Sequence, residues 1–185
     1  MKRLVFCLFI LFLAQCTVEQ PGGERPRVFV FTDINIDAGD PDDRQSLVHL
    51  LWYADELRIE GIVPDRWAAQ GYEACELALK AYSKDYQAFQ LAEKGYLLPD
   101  SIRNKVAVDL DHAMQMFVKA ASVRTDPLYV LIWGNMTSFG KALRQNPDLS
   151  DNIRVITIGT YLMMEKHRVH MPGTWKKTEK PCEQY

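Results

Sequence analysis

The sequence has few cysteines, little net charge of either sign and no apolar run long enough to span a bilayer. Only Cys75 and Cys182 lie beyond the first 16 residues, and they do not form a metal-type cysteine spacing. A net charge of −2 gives no reason to expect nucleic acid or an anionic membrane as a partner. The apolar run at 4–14 has 11 residues, whereas a membrane-spanning helix needs about 20. With 48% apolar and 25% charged residues, the composition is that of a folded globular protein.

The amino-terminal residues have the pattern of an export signal. Two cations precede the apolar run at 4–14, which has the length of a signal-peptide core. Residues 13–16 (LAQC) are similar to a bacterial lipoprotein cleavage box, in which Cys16 becomes lipidated, although Gln15 replaces the usual small residue. Residues 17–27 are rich in Pro, Gly and charge, and predict a flexible tether. We therefore expect an exported protein: a periplasmic or cell-surface lipoprotein anchored through Cys16, or a secreted protein.

Strands and helices alternate along the rest of the chain. Short apolar runs rich in β-branched or aromatic residues predict strands at 28–31, 59–63, 127–133 and 153–158. Apolar residues at helical spacing predict helices over 42–57, 71–86, 109–123 and 137–144. The first strand, helix and second strand form a βαβ unit, which requires parallel pairing. Residues 28–185 therefore predict one α/β domain, a doubly wound and mostly parallel sheet with helices on both faces.

An acidic loop follows the first predicted strand. Residues 32–47 (TDINIDAGDPDDRQSL) contain five aspartates, with Arg44 as their only cation. In doubly wound sheets, ligands bind beyond the carboxyl ends of the strands, which is where this loop lies. Two carboxylates about 4 Å apart repel by about 1 kcal/mol even in water, and more near a protein surface. The loop therefore needs an explanation for its negative charge.

Two explanations of the acidic loop compete. In the first, the charges start a helix: Asp40 is the N-cap and Pro41 is the first helical residue. Asp42 and Asp43 are then acids of the first turn. Helix capping leaves Asp33 unexplained. In the second, Asp33 and the helix start converge on a hard cation such as Ca²⁺, which takes roughly six to eight oxygen ligands and would offset the repulsion. The cation explanation accounts for more of the loop.

The order of these aspartates resembles a known family. A strand ending in Asp33, followed by Asp42 and Asp43 at the start of a helix, is similar to the amino-terminal signature of nucleoside hydrolases. The wider stretch 32–63 resembles an exported bacterial subgroup of nucleoside hydrolase-like proteins, sometimes described as cellulose-binding. The segments WGNMTSFGKAL and IRVITIG resemble later parts of that fold in the same order. The resemblance covers about residues 28–160.

The resemblance implies a site and a reaction. Asp33 would bind Ca²⁺ and act as the catalytic general base, Asp43 would be a bidentate metal ligand, and Asp42 would bond sugar hydroxyls. Thr137 would lend its backbone carbonyl to the metal. Asn135 would face the pocket and contact substrate, although turn formation explains this residue nearly as well. The implied activity is hydrolysis of N-glycosidic bonds in ribosides or related glycosides, with water activated at Ca²⁺ and an oxocarbenium-like transition state stabilised by carboxylates.

The sequence departs from the family pattern in two ways. The segment INIDAGDP makes the spacing from Asp33 to Asp42 longer than in true nucleoside hydrolases, so that Asp37 or Asp40 could also be a ligand. The family takes a further metal-binding aspartate, and usually a leaving-group acid, from a later region. No acid placed like these follows Gly159 in this chain. We therefore expect a domain that is incomplete at its carboxyl end and has little activity.

Other functions remain open. A non-catalytic exported module could keep the same fold and bind glycan, with a polysaccharide as partner instead of a small nucleoside or glycoside. An aspartate-based phosphatase also begins with an aspartate after its first strand, but Asn35 occupies the position of its second aspartate. Three aromatic residues lie near the carboxyl ends of predicted strands, where a ring could stack on a sugar or base: Trp67, Tyr72 and Trp133. Core packing is the alternative for at least two of them.

Overall fold

The structure, a computed structural model, describes residues 24–36 and 41–161. Its strands are β1 (Arg27–Thr32), β2 (Arg58–Pro64), β3 (Leu128–Asn135) and β4 (Ile153–Tyr161). They pair in parallel in the order β2-β1-β3-β4. The helices are α1 (Asp42–Trp52), α2 (Gly71–Ala88), α3 (Pro99–Arg103), α4 (Leu110–Ala121) and α5 (Thr137–Gln145). Short 3₁₀-helices lie at Trp67–Ala69, Leu91–Lys94 and Pro147–Asn152.

Helices cover both faces of the sheet because the strand residues alternate between two cores. Phe29 and Phe31 of β1 pack with α4 and α5 on one face, and the ring of Phe31 lies 5.5 Å from that of Phe117. The neighbouring residues Val28 and Val30 pack with α1, α2 and α3 on the other face. Strands buried on both faces explain the continuous apolar runs in the sequence. The prediction of a doubly wound α/β sheet is confirmed.

Several element ends differ from the expectations. Helix α1 begins at Asp42 and ends at Trp52, so Pro41 precedes the helix instead of starting it. The short helix α3 was not among the predicted helices, and Pro99 occupies its first turn. Asp109 is the N-cap of α4, and its side chain accepts a 2.7 Å hydrogen bond from the backbone N–H of His112.

The amino ends of β1 and β2 are tied by a buried ion pair. Arg27, expected to end the tether, is the first residue of β1, and only 2% of it is exposed. Its guanidinium donates to Glu60 at 2.8 Å and to the carbonyl of Ala120 at 2.7 Å. Arg58 contacts the same glutamate at 3.2 Å, but its side chain is 42% exposed. This network joins β1, β2 and the end of α4.

Cys75 lies on the buried face of α2 and is fully enclosed. Burial, with smaller effects of Glu76 and Asp43, raises the pKa of its thiol to about 12. Across residues 24–36 and 41–161, no helix is long and apolar enough to cross a membrane. The predicted export signal with Cys16, and also Asp37, Asp40 and Cys182, lie outside the described residues.

Candidate functional site

Three acidic or amide residues lie at the carboxyl edge of the sheet. Asp33 directly follows β1, Asp65 directly follows β2, and Asn135 is the last residue of β3. These strands are neighbours and parallel, so their ends lie side by side. Asp43, in the first turn of α1, faces the same point from the loop side. The edge therefore holds the residues that the sequence predicted there. It also holds Asp65, which was not predicted.

The carboxyl groups of Asp33 and Asp43 are in contact. Asp43 is buried, and its Oδ2 atom accepts a 2.8 Å hydrogen bond from the hydroxyl of Thr32. The Asp33 side chain bonds to the Asp43 side chain. Burial, together with the bond and the charge of Asp33, raises the pKa of Asp43 to about 7, while the bond from Thr32 opposes the shift. The structure thus brings together two of the residues predicted to bind Ca²⁺.

Gly134 makes room for Asp33. A Cβ atom at position 134 would lie 2.7 Å from Cγ and 2.8 Å from Oδ2 of Asp33, which is closer than van der Waals contact allows. Gly134 also has φ +108°, a conformation that favours glycine. The carboxylate therefore occupies the volume that a side chain on β3 would fill. The position of Asp33 over the sheet depends on this glycine.

Asp65 is the site residue that sequence reasoning missed. It is buried, and its carboxylate accepts hydrogen bonds from the hydroxyl of Ser138 and, at 3.1 Å, from the backbone N–H of Ser138. Burial raises the pKa of Asp65, while the bonds from Ser138 and the charge of Lys141 lower it. Asp65 thus caps the start of α5 from a different strand end. An acid two residues after the predicted strand 59–63 was the available signal.

Asn135 and Thr137 shape the turn that precedes α5. The Asn135 amide donates to the carbonyl of Asp65 at 3.2 Å, and its oxygen accepts from Thr137 N–H at 2.9 Å and from the Thr137 hydroxyl at 2.7 Å. Both ends of this buried amide are therefore engaged within the protein. The geometry fits the turn-forming interpretation of Asn135 better than substrate contact.

Asp42 lies at the exposed rim of the site. It is the first residue of α1, and its Oδ1 atom accepts a 2.9 Å hydrogen bond from the backbone N–H of Asp43. This bond fixes the direction of the side chain at the helix start. Its exposure leaves the carboxylate accessible to a ligand at the rim of the site.

The carboxylate pair meets part of what Ca²⁺ needs. Two carboxylates in contact, one of them buried, offer hard oxygen donors whose repulsion a divalent cation would offset. Within the part of the chain that the structure describes, no group of three or more His, Cys, Asp or Glu side chains is placed to hold a metal. Asp33 and Asp43 thus fit as two ligands. The remaining ligands would have to be carbonyls, water or residues outside these ranges.

The raised pKa of Asp43 makes stability depend on pH in the metal-free protein. The folded protein keeps this proton up to about pH 7, whereas the ordinary pKa of an aspartate is 3.8. The folded state therefore binds more protons between these values, and stability falls as pH rises across that window. We expect the melting temperature in chelator to decrease from pH 4 to pH 7, and to decrease less in Asp43→Asn.

Asp65 contributes in the same direction, so the variant should flatten the profile without abolishing its slope. Scanning calorimetry at several pH values would measure both profiles. Identical slopes in the two proteins would contradict the assignment of the proton to the pair formed by Asp33 and Asp43.

Comparisons with known proteins agree with this architecture. A family model described as "Cellulose-binding Sde182, nucleoside hydrolase-like domain" matches residues 27–161. A solved structure of a nucleoside hydrolase-related hypothetical protein from Saccharophagus degradans, associated with carbohydrate metabolism, is 21% identical with a TM-score of 0.56. The match covers 72% of this chain and 38% of that one, so this chain spans well under half of its neighbour's length. No curated protein sequence matches.

The family match and the structural likeness confirm the resemblance predicted from the aspartates and the later segments. The solved neighbour shares the fold, and the family model spans every strand and helix described above. The chain therefore belongs to the family of the cellulose-binding Sde182 nucleoside hydrolase-like domain.

Proposed function

We propose that the carboxyl edge binds a glycoside together with Ca²⁺, and that its chemistry is hydrolysis of an N-glycosidic bond in ribosides or related glycosides. The observation that supports this proposal is the contact between the Asp33 and Asp43 carboxyl groups, one of which is buried. Such a contact is unfavourable between two charged groups unless a proton or a cation lies between them. A cation bound between the two carboxyl groups would make this contact favourable.

Each residue of the site has a distinct task in this proposal. Asp43, oriented by Thr32, would hold the cation, and Asp33 would accept the proton of the attacking water. Asp42 would accept hydrogen bonds from sugar hydroxyls at the rim, and the backbone carbonyl of Thr137 would be a further ligand. Bound Ca²⁺ would supply positive charge that lowers the pKa of water and holds the sugar diol. The carboxylates would stabilise positive charge as the glycosidic bond breaks.

A second candidate is glycan binding without catalysis. Among residues 24–36 and 41–161, the carboxyl groups of Asp33 and Asp43 converge, whereas the carboxylate of Asp65, the other buried acid at this edge, is engaged by hydrogen bonds from Ser138. The matching family is described as cellulose-binding. In this case the cation and Asp42 would hold sugar hydroxyls, and no bond would be cleaved.

Calcium titration and a turnover assay separate these candidates. We expect calorimetry to show Ca²⁺ binding to the wild-type protein, weakened about 100-fold or more in Asp43→Asn because a direct ligand is lost. Asp148→Asn, an exposed acid after α5, is the matched control and should bind Ca²⁺ normally. Nitrophenyl riboside and natural nucleosides would serve as substrates, with and without chelator.

The outcomes are distinct. Turnover that requires Ca²⁺ and Asp33 supports the hydrolase. Ca²⁺-dependent glycan binding without turnover supports the second candidate. Glycan binding that is indifferent to chelator and to Asp43→Asn would refute the cation site.

A further inference from the structure

A concave feature lies at the same edge of the sheet as the carboxylate pair. It is a cleft of about 590 Å³, here called the Trp67 cleft, and its lining residues are Trp67, Tyr72, Glu73, Val108, Asp109 and Leu110. They belong to the 3₁₀ turn after β2, to the start of α2 and to the start of α4. The volume falls within the range of about 300–1,000 Å³ that is usual for ligand pockets.

The chain path fixes the cleft next to the proposed site. Trp67 is two residues beyond Asp65, which is itself bonded to Ser138 at the start of α5. On the other wall, Ile62 of β2 accepts a 2.8 Å hydrogen bond from Ala107 N–H and donates one of 2.8 Å to the carbonyl of Lys105. This parallel bridge carries residues 108–110 to the carboxyl edge beside the end of β2.

The floor of the cleft is held close to the sheet by Gly71. A Cβ atom at Gly71 would lie 2.9 Å from Cβ of Pro64 and 3.0 Å from the carbonyl oxygen of Ile34, so a side chain here would require α2 or these neighbours to shift. Tyr72 follows directly and lines the cleft. Gln70 adopts a left-handed conformation with φ 56°, which reverses the chain between Trp67 and α2. The aromatic wall is thus positioned by rigid elements and is not part of a long loop.

The lining combines apolar rings with carboxylates. Trp67 is half-buried and packs against the core that contains Phe31, which leaves part of the indole facing the cleft. Val108 is 57% exposed and gives the cleft an aliphatic surface. Glu73 and Asp109 are exposed carboxylates at the rim. A sugar ring matches this combination, since its C–H face packs on an aromatic or aliphatic surface while its hydroxyls donate to carboxylates.

We infer that the Trp67 cleft is a saccharide subsite, in which Trp67 stacks on a sugar ring adjoining the one held by the carboxylate pair, and Glu73 and Asp109 accept its hydroxyl hydrogen bonds. The inference rests on the glycan-binding candidate of the proposed function, because a ligand of linked sugar rings belongs to that candidate. It assigns a ligand of at least two linked rings, with one ring at Asp33 and Asp43 and the next at Trp67.

Trp67→Ala tests the subsite, with cellotriose as the probe and calorimetry in the presence of Ca²⁺. We expect affinity for cellotriose to fall at least tenfold in Trp67→Ala and to stay within threefold of wild type in Trp67→Phe, which keeps a stacking ring. Trp52→Ala is the matched control, because Trp52 is an exposed tryptophan at the end of α1, away from this edge. Thermal melts would confirm that each variant is folded.

The results distinguish the subsite from the cation site. Normal Ca²⁺ affinity in Trp67→Ala, with weakened cellotriose binding, supports the subsite. Cellotriose binding unchanged in Trp67→Ala overturns it, as does a wild-type protein that binds Ca²⁺ but no cellotriose. A wild-type protein that binds no Ca²⁺ would instead count against the proposed function. The Ca²⁺ affinity of Asp43→Asn tests that function independently of cellotriose.

Discussion

Replacing Gly134 with alanine is expected to destabilise the domain by about 3 kcal/mol or more and to abolish its Ca²⁺ binding. At φ +108° a Cβ atom costs about 1–3 kcal/mol in backbone strain. The added methyl group would also overlap the Asp33 carboxylate, and overpacking of this kind costs about 1–3 kcal/mol. The clash would be relieved by moving Asp33 away from Asp43, so that the two carboxylates would no longer meet at one cation.

Gly95→Ala is the matched control for this variant. Gly95 also has a positive φ of 81°, but among the described residues a Cβ atom there would meet only Nη2 of Arg25, at an ordinary 3.6 Å. We expect it to cost about 1 kcal/mol from the backbone alone and to leave Ca²⁺ binding unchanged. Denaturant unfolding and calcium calorimetry would compare the two variants. If Gly134→Ala and Gly95→Ala lose the same stability and keep the same Ca²⁺ affinity, Asp33 does not need the space left by Gly134.

Arg27→Met is expected to destabilise the domain by about 3–5 kcal/mol, the usual cost of removing one partner of a buried ion pair. The guanidinium is almost fully buried and bonds Glu60 and the carbonyl of Ala120. Methionine keeps most of the apolar stem but removes the buried donor of Glu60 and Ala120, and it leaves Glu60 with the more exposed cations Arg58 and Lys105. The residue lies at the amino edge of the sheet, so Ca²⁺ and glycan affinity of the folded fraction should not change.

Arg58→Met provides the comparison for Arg27. Arg58 contacts Glu60 and Asp126, but its side chain is 42% exposed, and exposed pairs contribute roughly 0–1 kcal/mol. We expect a loss below about 1 kcal/mol, measured by urea unfolding of both variants under the same buffer conditions. A similar loss in the two variants would mean that burial does not set the strength of this network.

The sheet could be predicted from the sequence because its strands are buried on both faces. Runs such as VFVF and LYVLIW are unusual outside buried parallel strands, and the structure extends each of them by only one or two residues. The helix after the acidic loop was also evident from apolar spacing, although it ends at Trp52 and not at residue 57. Local patterns were sufficient where local structure and burial agree.

The site was only partly predictable, because its contacts join residues far apart in sequence. Asp65 is hydrogen-bonded to Ser138, 73 positions later, and the sequence around either residue does not predict this contact. Asn135 was predicted to contact substrate, yet its amide is engaged by Asp65 and Thr137. The role of Gly134 depends on where β1 places Asp33, which only the register of the two strands determines.

Because Cys75 is buried, its reactivity can report when α2 separates from the sheet. A thiol with a pKa near 12 and no solvent contact should react with an alkylating reagent only while the helix is lifted from the sheet. In a chain in which Cys7, Cys16 and Cys182 are replaced by serine, the labelling rate would therefore measure how often one wall of the Trp67 cleft opens. Added glycan should slow the labelling of Cys75 if the bound glycan holds this wall of the cleft in place.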